Sequence, residues 1–273
     1  MLLKRIGVAA GLAAFLSGAE VQAQTSLGTA QSFAVLGGST VTSTITPGTV
    51  IGGDLGVSPG SAITGFPPGL VTPPGAIHAA DAVAAQAQVS VTTQYNALVN
   101  AACTADLTGV DLGNRTLISG VYCFSTSAQM TGPLTLNAQG NAAATFVFKI
   151  GSTLTTASGS SVNLINGGNP CGVMWQIGSS ATLGTTTSFV GNLIAFTSIT
   201  LNTGANIIGR ALARNGAVTL DVNNISFAPC TAAGVPPPPP VPTLSTWMMI
   251  LLVGLLAMAG FATLRKRKTY DLR

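Results

Sequence analysis

Apolar residues recur with a period of eighteen in the later part of the chain. Trp175 to Asn192 (WQIGSSATLGTTTSFVGN), Leu193 to Arg210 (LIAFTSITLNTGANIIGR) and Ala211 to Ala228 (ALARNGAVTLDVNNISFA) align end to end. Leu183, Leu201 and, after a one-residue stagger, Leu220 fall at matching places, with Phe189, Ile207 and Ile225 further along. A fixed period of this length is the signature of a solenoid, in which each repeat is one coil stacked on the next. At roughly 3.3 Å per extended residue one coil has a perimeter of about 60 Å, which suits three sides of short strand joined by tight corners. Thr182, Thr200 and Thr219 stand beside the leucines. Alternation along a strand turns them outward, predicting a threonine ladder with rungs about 4.8 Å apart. Thr185, Thr203 and Asn206 continue the polar row around the next corner.

Other segments carry different patterns. Phe146-Val147-Phe148, Val173-Met174-Trp175 and Leu193-Ile194-Ala195-Phe196 are apolar at consecutive positions, as in a sheet covered on both faces. Ser32 to Phe66 is strand-like and rich in Gly, Thr and Val, and Pro73-Pro74-Gly75 ends that texture. Ala76 to Ala102 contains neither Gly nor Pro and spaces Ile77, Ala84, Val91 and Leu98 by seven, supported by Ala80, Ala87 and Tyr95. This predicts an amphipathic helix over about 76–102 whose apolar stripe packs on the doubly apolar side of the solenoid. The expected fold is mainly β, a parallel solenoid of three-sided coils with one long helix alongside.

Both chain ends read as targeting segments. Residues 1–23 have Lys4 and Arg5, an apolar run from Ile6 to Leu16 and the small-residue pattern Val21-Gln22-Ala23, predicting a signal peptide and export. A single domain is expected over 24–233, then a proline-rich spacer over 234–240 with Pro236 to Pro240 unbroken. The uncharged stretch 248–264 has the length of a short transmembrane helix, and Arg265-Lys266-Arg267-Lys268 follows on the side expected to stay cytoplasmic.

Removing these ends changes the charge. Seven of the eleven basic residues lie in them. Between 24 and 240 Arg115, Lys149, Arg210 and Arg214 stand against Asp54, Asp81, Asp106, Asp111 and Asp221, a formal charge of −1. Four scattered basic residues cannot make the many phosphate contacts that drive nucleic-acid affinity, so nucleic acid is excluded as a partner. Catalysis lacks its usual groups too: this region has no glutamate, one histidine and no G-x-S-x-G nucleophile elbow. Asp54, in GGDLGVSPG, is read as capping backbone amides, and His78 with Asp81 as a local pair at the start of the helix. No cofactor and no metal are expected, since no Cys/His spacing suggests zinc. Cys103, Cys123, Cys171 and Cys230 form an even set in an exported chain, favouring disulfides. Three connectivities are open, and the favoured one joins Cys103 to Cys123 across a turn-rich stretch and Cys171 to Cys230 across the regular coils.

Leu27 to Phe66 (LGTAQSFAVLGGSTVTSTITPGTVIGGDLGVSPGSAITGF), the helix beginning Ile77-His78-Ala79-Ala80-Asp81, Ser119-Gly120-Val121-Tyr122-Cys123-Phe124 and the coils from Trp175 onward resemble the microbial ice-binding protein family. The resemblance spans nearly the whole exported domain. It implies a discontinuous right-handed β-solenoid of triangular section with a long helix alongside, and one flat face that adsorbs to the surface of an ice crystal. A Thr-Ala/Gly-x-Thr/Asn pattern on that face in some members is matched by Thr203-Gly204-Ala205-Asn206 and more loosely by Thr185-Thr186-Thr187-Ser188. The third coil departs with Val222-Asn223-Asn224, and Asp221 adds a charge at that edge. The ice-binding residues implied are Thr182, Thr200, Thr219, Thr185, Thr203 and Asn206.

Val241-Pro242-Thr243-Leu244-Ser245-Thr246-Trp247, followed by the apolar stretch and basic cluster, resembles an IPTL-type sorting signal processed by an exosortase-like membrane enzyme. The sequence thus points to an ice-binding protein that is secreted or displayed at the cell surface, held by its C-terminal helix at least until processing. A surface adhesin or matrix protein on the same scaffold is the competing reading. Sugar adhesion would use exposed aromatic platforms, whereas Trp175, Phe148, Phe189 and Phe196 are expected at inward or helix-covered positions.

Overall fold

The computed structural model describes residues 26–44 and 47–227. Parallel strands stack in three sides. On the first, the rungs follow the order 77–79, 54–57, 33–37, 206–213, 188–195, 173–177, 146–150, 120–124 and 105–106. The second is a separate seven-stranded sheet in the order 128–130, 154–156, 181–183, 199–201, 218–220, 40–43 and 62–64. The third is built from 115–118, 133–137, 161–165, the first residues of Ser188–Ala195 and Asn206–Ala213, then 224–226, 50–52 and 70–71.

The first and third sides share two long strands, Ser188–Ala195 and Asn206–Ala213, each bent at a glycine. Gly191 (φ +117°) and Gly209 (φ +148°) are stacked at that bend, and a Cβ on Gly209 would lie 2.0 Å from the Gly191 carbonyl oxygen. Only a residue without a side chain permits this approach in the left-handed region.

The stack does not follow chain order. Val35 pairs with Ala211, so the N-terminal coils sit on the last of the regular coils. The chain then runs outward through Asp54–Val57 to Ile77–Ala79 and restarts at the far end with Ala105–Asp106. Helix α1, Ala82–Val99, makes the return. Its 18 residues span about 27 Å at 1.5 Å each, several rungs of the stack. This is the discontinuity that the family resemblance implies.

The helix is shorter than the sequence pattern suggests. Ile77 belongs to a strand paired with Leu55 and is 49% exposed, and Ala80 has φ +53°. The helix starts only at Asp81, whose carboxylate accepts the Ala84 amide at 2.8 Å and caps it. A seven-residue spacing therefore carries the apolar stripe from Ala84 back to Ile77, about two turns too far toward the N-terminus. From Ala84 on, the stripe is as expected: Ala84, Ala87, Val91, Tyr95 and Leu98 pack with Phe33, Leu36, Val147, Met174, Ile194 and Leu212. Gln88 Nε2 donates to the carbonyls of Gly37 and Ala213, both at 3.0 Å, tying helix to sheet.

Inside the coils runs an aromatic column. Tyr122, Phe148 and Trp175 occupy one register on successive rungs. Phe148 stacks on Trp175 at 3.8 Å between centroids, and Phe189 leans on the same indole at 4.8 Å. Phe196 departs from its expected place. It is 43% exposed at the edge of the helix, beside Tyr95, because the helix covers positions 194 and 212 but leaves the row two residues further along uncovered.

Candidate functional site

The separate seven-stranded sheet forms a face of strands three or four residues long; the five from 128–130 to 218–220 turn one residue outward between two buried ones, while 40–43 and 62–64 turn Val41 and Ile63 inward beside Thr42 and Thr64. The pairing sets Thr155, Thr182, Thr200, Thr219, Thr42 and Thr64 in one register on consecutive rungs, with Gln129 beyond Thr155. Inward neighbours such as Leu154, Ala181, Leu183, Ile199, Leu201, Val218 and Leu220 are buried. The ladder is thus twice as long as the three regular coils suggest. Thr155 precedes the regular repeats, and Thr42 and Thr64 arrive from the N-terminal coils. Among the described residues none of these six hydroxyls bonds to another protein group, so the row faces solvent with its donors and acceptors unused. Each threonine has a stiff χ1, which fixes the spacing of its methyl and hydroxyl.

A second row of small residues flanks the ladder. Ser127, Thr153, Ser180, Ser198 and Ala217 precede the inward residues of successive strands. Thr153 Oγ1 donates to Ser127 Oγ at 2.9 Å, and Ser180 and Ser198 accept the amides of Ser198 and Ala217. Backbone bonds therefore pin these two serines, leaving a flat surface of hydroxyls, methyls and backbone.

The far edge is less regular. Thr185 and Thr203 are exposed at the corner, and the Thr186 amide donates to the Thr203 carbonyl. Thr203 donates its hydroxyl to Asp221, and Thr44 does so from the other side at 2.8 Å. The one-residue stagger explains this arrangement. Thr182 to Thr200 is a step of eighteen, whereas Thr200 pairs with Thr219 and Ile207 with Ile225. The residue gained before Val218 is removed again after Leu220, which leaves Asp221 level with Thr203. Asn223 fills the shortened corner: its side chain accepts the Asp221 amide at 2.6 Å and donates to the carbonyls of Asn202 and Ala205. Val222 adopts φ +54° there, level with Gly204 (φ +69°) and Thr186 (φ +58°). Asn206 lies past the corner, on the third side, where its Oδ1 accepts the Asn224 amide at 2.7 Å. Of the six residues taken from the sequence, Thr182, Thr200 and Thr219 share one line, Thr185 and Thr203 form the corner, and Asn206 belongs to the next side.

Asp221 does not break the face electrostatically without compensation. The hydroxyls of Thr203 and Thr44 hold its carboxyl below the ordinary 3.8. Asp106 is lowered by the Thr108 hydroxyl and amide, and Asp81 by the Ala84 amide and then the His78 ring. His78 Nδ1 lies 2.7 Å from Asp81 Oδ2, and Asp54 accepts the Ala76 amide at 2.9 Å. A carboxyl with a folded-state value below its unfolded one adds stability above the unfolded value and loses it as pH falls through the folded value. The unfolding temperature is therefore expected to be flat from about pH 7 to 5 and to fall below about pH 4, followed by circular dichroism. Asp221→Asn, a hydrogen-bonding amide without the charge, should make that fall shallower.

Cys103 and Cys123 are joined by a disulfide, with Cα atoms 5.8 Å apart. Cys171 is also disulfide-bonded, while Cys230 lies outside the described residues. So do the signal peptide over 1–23, the sorting residues Val241, Pro242, Thr243, Leu244 and Trp247, and the apolar stretch 248–264. Among the described residues no helix is long and apolar enough to cross a membrane, and no group of His, Cys, Asp or Glu could hold a metal ion.

Comparison with known proteins places this geometry. Residues 239–266 match the IPTL-CTERM motif. The chain is 58% identical over 217 residues to the ice-binding protein of Nostoc sp. (strain HG1), covering 78% of this chain and 79% of that one. A crystal structure of an ice-binding protein from an Antarctic biological consortium superposes with a TM-score of 0.72 at 45% identity, over 76% of this chain and 92% of that one. That of an ice-binding protein from the Antarctic ascomycete Antarctomyces psychrotrophicus gives 0.70 at 40% identity, over 74% and 97%. The matched fold makes up nearly the whole of that fungal chain. Residues 35–226 match the family described as ice-binding-like, and with this fold and these relatives the chain belongs to that family.

Proposed function

We propose that this protein is exported and adsorbs to ice through its threonine side. The observation that carries the reading is the unbroken register from Thr155 to Thr64, six rungs of one β-branched hydroxyl residue. With rungs about 4.8 Å apart and flanking columns about 6.6 Å away along the strand, the surface presents a two-dimensional lattice. Water held over the methyls and bonded to the hydroxyls is ordered at these spacings before contact. Merging that layer with the crystal then costs little further entropy, which is preorganisation applied to a solid surface. Adsorbed molecules restrict ice growth to the spaces between them.

The third side fits less well. Its outward positions mix Ser188, Asn206, Asn224, Val50 and Leu70 in one row, so heights and chemistry change at each rung. The second disulfide is assigned to Cys171 and Cys230, and the C-terminal segment to sorting by an exosortase-like enzyme, with the protein at the cell surface or released from it.

The test is ice-recrystallisation inhibition and thermal hysteresis of residues 24–240, alongside Ile208→Tyr on the exposed centre of the third side. Both proteins should be active to the same degree. Inactivity of the folded wild type would favour the adhesin or matrix reading, and loss of activity in Ile208→Tyr alone would move the adsorbing face to the third side.

A further inference from the structure

A cleft of about 980 Å³ opens between the C-terminal half of helix α1 and the edge of the helix-covered side. Its floor is set by one row of the solenoid. Ser125, Gly151, Gly178, Phe196 and Arg214 follow each other on successive rungs, the last four donating their amides to the carbonyls of Phe124, Ile150, Ile177 and Ala195 at 2.7–2.9 Å. Close stacking requires the two glycines, since a Cβ on Gly178 would fall 2.2 Å from the Gly151 carbonyl oxygen. The floor is therefore bare backbone. Phe196 rises beside it and is the one aromatic among the exposed large hydrophobic side chains of the described residues.

The cleft also gathers charge. Of the four basic residues between 24 and 240, Arg210 is buried, while Lys149 and Arg214 both line this cleft. The Arg214 guanidinium lies 4.5 Å from the Tyr95 ring centroid and 5.2 Å from that of Phe196, which orients it. Lys149 Nζ is held by the Ala101 carbonyl at 2.9 Å. The one acidic residue there, Asp106, already accepts the hydroxyl and amide of Thr108. An aromatic face for the C–H surface of a sugar ring, an oriented guanidinium suited to a carboxylate and room for more than one ring occur together.

We infer that this cleft is a binding site for acidic polysaccharide, taking a uronate-bearing chain with its ring on Phe196 and its carboxylate on Arg214 and Lys149. Two cations are too few for a polyphosphate, and a neutral sugar would bring no anion to them. The site lies apart from the threonine side, so the protein could hold ice and an anionic matrix at once.

Isothermal titration calorimetry of residues 24–240 with an oligogalacturonate, and with a neutral cello-oligosaccharide of the same length, tests this. Saturable binding of the oligogalacturonate alone is expected, weakened at least about tenfold, or 1.4 kcal/mol, by Phe196→Ala and by Arg214→Gln. Unfolding temperature is measured for each variant, and Lys149→Gln provides a second charge deletion should Arg214→Gln fail to fold. No binding by the wild type, equal binding of the neutral oligosaccharide, or unchanged affinity in the variants would overturn the proposal. Ice-recrystallisation inhibition is read in the same preparations and should not change, so the two activities fail or stand independently.

Discussion

Thr200→Tyr should weaken adsorption to ice by at least about tenfold, roughly 1.4 kcal/mol, read as a loss of thermal hysteresis and recrystallisation inhibition. Thr42→Tyr should do nearly as much damage. Both residues lie in the central column, Thr200 one rung and Thr42 two rungs on from Thr182 and Thr200 respectively. A tyrosine ring in either place stands several ångströms above its neighbours and lifts the face off a flat crystal. Thr42 is the more telling of the two, because it is 158 residues earlier in the chain than Thr200 yet only two rungs away. If Thr200→Tyr is inactive while Thr42→Tyr keeps full activity, the adsorbing patch ends within the regular coils and the N-terminal rungs serve only to cap them. Activity in both would place adsorption on another side. Tyrosine has good strand propensity, and both sites are at least partly exposed, so the fold should survive; circular dichroism checks that.

The contrast between Thr200 and Thr42 also shows what the sequence could and could not disclose. Three coils of nearly constant length announce themselves by period, and the helix-covered side by its consecutive apolar residues. Thr42 and Thr64 carry no such signal. They stand in strands separated by long corners, and only the pairing of Val35 with Ala211 brings them into line with Thr219. The seven-residue spacing through Ile77 misled for a related reason: a heptad pattern does not reveal that residues 77–79 find a strand partner in 55–57 before the helix is capped. Phe196 was hidden by its neighbours. Its run Leu193-Ile194-Ala195-Phe196 reads as uniformly buried, and only the width of one helix across the sheet decides that the last of the four is left open. The Asp221 corner was legible as an irregularity, but its compensation by Thr203, Thr44 and Asn223 depends on three different coils.

Trp175→Ala should destabilise the domain by about 3–5 kcal/mol, read as a fall in denaturation midpoint at unchanged urea dependence. The indole is fully buried between Phe148 and Phe189, and its Nε1 donates to the Val190 carbonyl at 3.1 Å. Removing it opens a cavity in the aromatic column and leaves that carbonyl unsatisfied next to the bend at Gly191. Trp175→Phe keeps most of the stacking area but loses the hydrogen bond, so a cost of about 1–2 kcal/mol is expected. In a solenoid each rung is held mainly by its neighbours, so the damage should stay near the 173–177 and 188–195 rungs while the molecule is folded. At the temperature of an ice assay, a variant that still folds should therefore keep the threonine register and adsorb as well as the wild type. A Trp175→Ala protein that is folded near 0 °C yet inactive would mean that the face depends on the packing beneath it as well as on its own side chains.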